Sequence, residues 1–355
     1  MSKSDYRRRR LRRFKRTLSR HLPTFIALVC IVLVSGGLIF SIYRFVLHPK
    51  ASSAGLPPAS GSIVQTAEAA SKSTAAGHTA EREASASQIP LDETGRLIAQ
   101  ADRIALGYDY DRATALLADS GLDTSDGRIP DAIARYEEAK AALVPVDVTQ
   151  TTHVFFHSLI MDTSLAFDGD ADAAGYNSVM TTREEFLKIL EALYARDYVL
   201  VRLHDIAAPA ADSEGNVSFA WGTILLPPGK KPLVMSQDDV CYYPYMDGDG
   251  FASRIVIGED GKPTCEMTLA DGTVSTGSYD LIPILEDFIQ EHPDFSYKGA
   301  RAVIAFTGYE GILGYRTSST YSGSPTYEED RAQAAAVAQC LRDNGWELAS
   351  HSWGH

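Results

Sequence analysis

The chain has 355 residues, enough for two domains or one large domain with appendages, and a formal net charge of −13. Before residue 21, ten Lys and Arg stand against Asp5 alone, whereas after Lys50 only 21 basic residues face 45 acidic ones. An acidic body sets nucleic acid aside as a partner, since phosphate binding depends on clustered Lys and Arg.

The basic tail, residues 1–22, leads into PTFIALVCIVLVSGGLIFSIYRFV, a run without charge until Arg44. About 20 apolar residues cross a bilayer, so residues 23–47 are expected to form a transmembrane anchor. A cleaved signal peptide fits less well, because its apolar core is about 7–15 residues. The positive-inside rule keeps the arginines in the cytoplasm and puts everything after Lys50 outside, as a single-pass protein of the cell membrane. Residues 48–89 are rich in Ala, Ser, Gly and Thr and poor in large apolar residues. They read as a flexible linker. Cys30 lies within the apolar span, which leaves Cys241, Cys265 and Cys340 for at most one disulfide.

Residues 90–145 change to helical periodicity. Leu97, Ile98, Ala101, Ile104 and Ala105 form one apolar stripe, and Ile133, Tyr136, Ala139 and Leu143 another. The segment predicts a helical hairpin or short bundle, loosely like one tetratricopeptide unit. Such units normally stack in numbers, so it is either a packing extension or a docking site for a protein partner.

From Thr152 onward strands and helices alternate. His153–Ile160 reads as a strand, and Thr182-Arg-Glu-Glu185 as a capping box that opens an apolar-faced helix. Tyr198–Val201 and Leu233–Ser236 read as strands, and residues 247–278 as an inserted hairpin. A helix over 279–292, a strand over 302–306, an Ala-rich helix over 328–344 stopped by Gly345, and a last strand over 346–350 complete the pattern. Alternation of this kind predicts an α/β fold with a parallel sheet or barrel over residues 150–355, whose functional groups gather at the carboxyl ends of strands.

Two features fall at such ends. The apolar run Pro232-Leu-Val-Met-Ser-Gln ends in Asp238-Asp239, and the last strand delivers His351-Ser-Trp-Gly-His355. Histidines four apart share one face of a helical turn and can reach one metal ion. A catalytic zinc takes three protein ligands and leaves a fourth position for water. Asp239, His351 and His355 meet that count, and Asp238 beside them can accept the water's proton. Adjacent aspartates on a strand point to opposite faces, so both reach one site only if the strand has ended and the chain turns.

At these residues the sequence resembles the NodB-homology polysaccharide deacetylases, carbohydrate esterase family 4. The family's Thr-Phe-Asp-Asp-Gly motif is similar to Ser236-Gln-Asp-Asp-Val240, and its His-Ser/Thr-x-x-His motif is matched by His351–His355. The resemblance implies Asp238 as catalytic base and a zinc ion, or another divalent metal, on Asp239, His351 and His355. It also implies a distorted (β/α) barrel that is incomplete at its C-terminal end. The reaction it implies is removal of acetyl groups from a cell-wall polysaccharide of the N-acetylglucosamine or N-acetylmuramic acid type. Val240 replaces the family glycine and Gln237 its phenylalanine. The family's later Arg-Pro and Leu-x-His motifs find no match here, so a longer natural protein is expected, with this polypeptide inactive and poorly folded at its last strands. The aromatic stretch Tyr242, Tyr243, Tyr245 and Phe251 either stacks sugar rings or packs internally. A catalytically inactive wall-binding or scaffolding protein is the rival reading. A glycosidase built on the two aspartates would leave the paired histidines idle.

Overall fold

The run at 231–237 becomes the central strand of a parallel sheet, and the rest of the fold is placed by what pairs with it. The computed structural model describes residues 91–125 and 127–354. The basic tail, the anchor over 23–47, the linker over 48–89 and His355 lie outside the described residues. Among the described residues no helix is long and apolar enough to cross a membrane.

The strands follow in chain order: β1 (Val144–Pro145), β2 (Thr152–Phe156), β3 (Tyr198–Leu200), β4 (Ala207–Ala211), β5 (Val217–Trp221), β6 (Leu225–Leu226), β7 (Lys231–Gln237), β8 (Ala252–Ile257), β9 (Pro263–Thr268), β10 (Val274–Gly277), β11 (Val303–Phe306) and β12 (Glu347–Ser350). The main sheet has five parallel strands, in the order β12-β11-β7-β2 with β3 also on β7. β2 runs along one edge of β7, from Thr152↔Leu233 to Phe156↔Gln237. The opposite edge is shared by β3 at the start (Leu200↔Leu233) and β11 at the end (Val303↔Ser236). β7 is therefore enclosed on both edges. It is covered on both faces too, since Pro232 to Gln237 are all buried, as a continuous apolar run in a parallel sheet should be.

The two faces of the sheet bury different cores. Leu233, Met235 and Ile304 join Phe186, Leu190, Leu285 and Leu341 of the covering helices. Val199, Val234 and Val303 pack with Ile224, Leu226 and Tyr297 on the other side. The covering helices are Arg183–Tyr194, Leu281–Glu291 and Tyr327–Asp343. The first opens with the Thr182–Glu185 capping box in full. The last carries Glu328, Glu329 and Asp330 in its first turn and Arg342 in its last, matching the helix dipole. It ends at Gly345, which takes a φ of 90° that a β-carbon would strain.

Three helices, Glu93–Leu106, Tyr110–Ala118 and Arg128–Ala141, enclose a small core of Ala101, Ala113, Leu117, Ile129 and Tyr136. They dock on the sheet unit through Tyr108 Oη donating to Asp294 O at 2.9 Å and Lys298 N donating to Gly107 O at 2.7 Å. The segment between β7 and the Leu281–Glu291 helix is a three-stranded antiparallel sheet, β8-β9-β10, one strand more than a hairpin. β4 and β5 form an antiparallel ribbon: Val217-Ser-Phe-Ala-Trp221 alternates as a strand does, whereas its partner Ala207-Ala-Pro-Ala-Ala211 has weak strand propensity. Cys241, Cys265 and Cys340 are all buried and free.

One buried carboxylate ties these parts together. Asp280 is wholly buried. It accepts from Leu159 N (2.9 Å), Leu281 N (2.8 Å), Gln237 Nε2 (2.7 Å) and Tyr242 Oη (2.6 Å). Replacing it with alanine orphans all four donors, and we expect Asp280→Ala to cost about 3–5 kcal/mol, seen as a lower urea midpoint at unchanged slope.

Candidate functional site

The site lies at the carboxyl end of the parallel sheet, where β7, β11 and β12 finish side by side. β7 ends at Gln237, and Asp238 N extends its ladder to Phe156 O at 2.8 Å. The backbone then turns: Asp239 takes a φ of 58°, a left-handed conformation that Asp tolerates better than most residues. This turn breaks the strand alternation that would otherwise send the two carboxylates to opposite faces. Gln237 and Tyr242, which bracket the turn, are both held on Asp280 Oδ2.

The turn places no demand for glycine at Val240. The left-handed residue is Asp239, one position earlier, while Val240 is completely buried in the core. Its N–H donates to Ala305 O at 3.1 Å and its carbonyl accepts from Leu313 N at 3.0 Å. Gln237 is a buried hydrogen-bonding member of the Asp280 network.

His351 follows β12 directly, its N–H donating to Phe306 O at 2.7 Å. Its Nε2 lies 3.9 Å from Asp239 Oδ1, with the side chains 33% and 19% exposed respectively, so the pair opens to solvent. Between them stands Thr307, a buried residue whose hydroxyl donates to Asp239 Oδ1. Asp238 is placed differently. Its Oδ1 accepts from Ser236 Oγ at 3.3 Å, and Ser236 Oγ lies 3.0 Å from His153 Nε2. Asp238, Asp239 and His351 do not bring one ligand atom each within 4.8 Å of one another. Asp239 and His351 thus form the close pair, and Asp238 stands beside it. Burial pushes the Cys241 thiol up to about 12, which keeps it protonated at neutral pH.

The helical turn expected for His351–His355 is not what the described residues adopt. Ser352 takes a φ of 68°, and the chain lies along the loop after β11 through Gly308 N to Ser352 O (3.3 Å) and Tyr309 N to Trp353 O (2.8 Å). Backbone pairing to a neighbouring strand's continuation prevails over local helix geometry. The aromatic stretch divides in two. Tyr242 and Phe251 are buried and cannot meet a sugar. Tyr243 stacks on Tyr245 at 5.7 Å and packs against Tyr309 at 5.7 Å, while Trp353 is exposed.

Among the described residues a second group could hold a metal ion. One carboxylate oxygen each from Asp170, Asp172 and Asp249 lies within 4.8 Å of the others. These are hard oxygen donors, of the kind that suit calcium or magnesium. The Asp168-Gly-Asp-Ala-Asp172 spacing was a visible signal, but Asp249 comes from a separate loop.

No family model matches the chain, and no curated protein and no solved structure is significantly similar to it.

Val240 supplies a direct check on this geometry. Because its side chain is buried in the core, Val240→Gly is expected to lower stability by about 2–3 kcal/mol, measured by urea unfolding.

Proposed function

We propose that the chain is a metal-dependent polysaccharide deacetylase, anchored in the cell membrane by residues 23–47, whose α/β unit is a NodB-type partial barrel outside the cell. The observation that carries this reading is the approach of Asp239 to His351, 3.9 Å apart at the mouth of the sheet, with Asp238 separately held beside them. Ligand atoms about 2.0–2.2 Å from a tetrahedral zinc ion lie about 3.4 Å from each other, so the pair needs only a small adjustment to share one. One carboxylate and one imidazole also suit zinc chemically, and His355 is the third ligand in this assignment.

When bound, the metal supplies Lewis-acid polarisation of the acetyl carbonyl and a water of lowered pKa. The chain's own groups divide the remaining work. Asp239 and His351 would hold the ion where their side chains are partly open to solvent. Asp238, whose Oδ1 is fixed by Ser236, keeps its other oxygen for the water's proton, as a general base within hydrogen-bond reach must. Tyr243, Tyr245 and Tyr309 form an aromatic wall next to Thr307 and Asp239, suited to the flat face of a pyranose ring. The substrate in this reading is a wall glycan of the N-acetylglucosamine or N-acetylmuramic acid type.

The test is acetate release from chitin oligomers and peptidoglycan fragments by the full-length natural protein, with zinc content measured in parallel. His351→Ala is expected to lose both zinc and activity. Asp238→Asn is expected to keep zinc while kcat falls roughly 10²-fold or more, the usual share of a general base. Shorter sugars without acetate would sink the deacetylase reading in favour of a glycosidase, and full activity of the His351 variant would sink the metal site.

A further inference from the structure

We propose that Thr307 is the positioning residue that makes Asp239 a metal ligand, an inference that rests on the metal-site reading above. β11 lies between β7 and β12 in the sheet. The strand ends that carry Asp239 and His351 are therefore two strand spacings apart, about 9–10 Å. Their side chains converge to 3.9 Å over the end of the middle strand. The residue directly beneath that convergence is Thr307. Continuing the β11–β12 register one step past Phe306↔Ser350 sets Thr307 level with His351.

Two properties of this side chain matter. Its hydroxyl donates to Asp239 Oδ1, the same oxygen that faces His351 Nε2. A carboxylate oxygen accepts in two lone-pair directions, so the donated proton occupies one and leaves the other for an ion on the histidine side. The second property is size. Thr307 is wholly buried, so a longer side chain there has no solvent to extend into and would push on its neighbours. Outer-sphere partners of this kind set ligand orientation before the metal arrives.

The test is a zinc competition titration against a chromophoric chelator, using the full-length protein. Thr307→Val keeps the shape and removes the donor, and its zinc affinity is expected to fall about 10–100-fold, the usual cost of losing an outer-shell partner. Thr307→Ser keeps the donor and is expected to restore wild-type affinity. A packing role would instead rank the variants by shape, with valine the milder change. Wild-type affinity in Thr307→Val, or equal losses in valine and serine, overturns the proposal. Should the valine variant not fold, Thr307→Ala carries the same expectation of a loss that serine does not share. A wild-type protein that binds no zinc removes the metal site itself, a failure distinct from zinc binding that is indifferent to Thr307.

Discussion

Asp280 accepts hydrogen bonds from four groups that come from three separate stretches of chain: the loop after β2, the two flanks of the β7 turn, and the helix it caps. Burial pushes its carboxyl up, and the four donors oppose that push. A polar group so placed is costly unless every partner is present, and that condition makes it specific. Gln237 and Tyr242 cannot both reach Asp280 Oδ2 unless the residues between them, Asp238 to Cys241, take one particular turn. The constraint lies beneath the site and dictates its backbone.

Above that turn the parallel sheet does the rest. Parallel strands end in register at one face, so residues just past β7, β11 and β12 are neighbours although they lie up to 113 positions apart in sequence. Asp238 and Asp239 leave β7, Thr307 leaves β11 and His351 leaves β12. The left-handed backbone of Asp239 swings one carboxylate over the middle strand, while Asp238 stays with Ser236 and His153 on the β2 side. Two adjacent carboxylates thereby face different strands of the sheet.

Much of this was legible in the residues. β7 is an unbroken apolar run because it is buried on both faces, and such a run bounded by charges reads as a central strand. The Thr182–Glu185 box, the Leu281–Glu291 helix and the Gly345 stop each carry a local chemical signature. What was not legible depends on distant partners. The alternation of Val217, Phe219 and Trp221 promises a buried face, yet all three are exposed, and the pairing with Ala207–Ala211 is not marked in that segment's own sequence. The link from His153 through Ser236 to Asp238 needs the β2–β7 pairing. The Asp170, Asp172 and Asp249 group needs two loops more than 70 residues apart, and the non-helical path of Ser352 needs the loop after β11.

The sequence by itself determined the order of strands and helices, the acidic body and the residue types able to hold a metal, because periodicity, charge and ligand chemistry are local properties. Only the tertiary structure decided that Asp239 faces His351 while Asp238 does not, that Val240 belongs to the core, and that the Thr307 hydroxyl is held on Asp239. Those outcomes follow from strand register and from a turn clamped on Asp280, and both are set by hydrogen bonds between segments that sequence proximity does not connect.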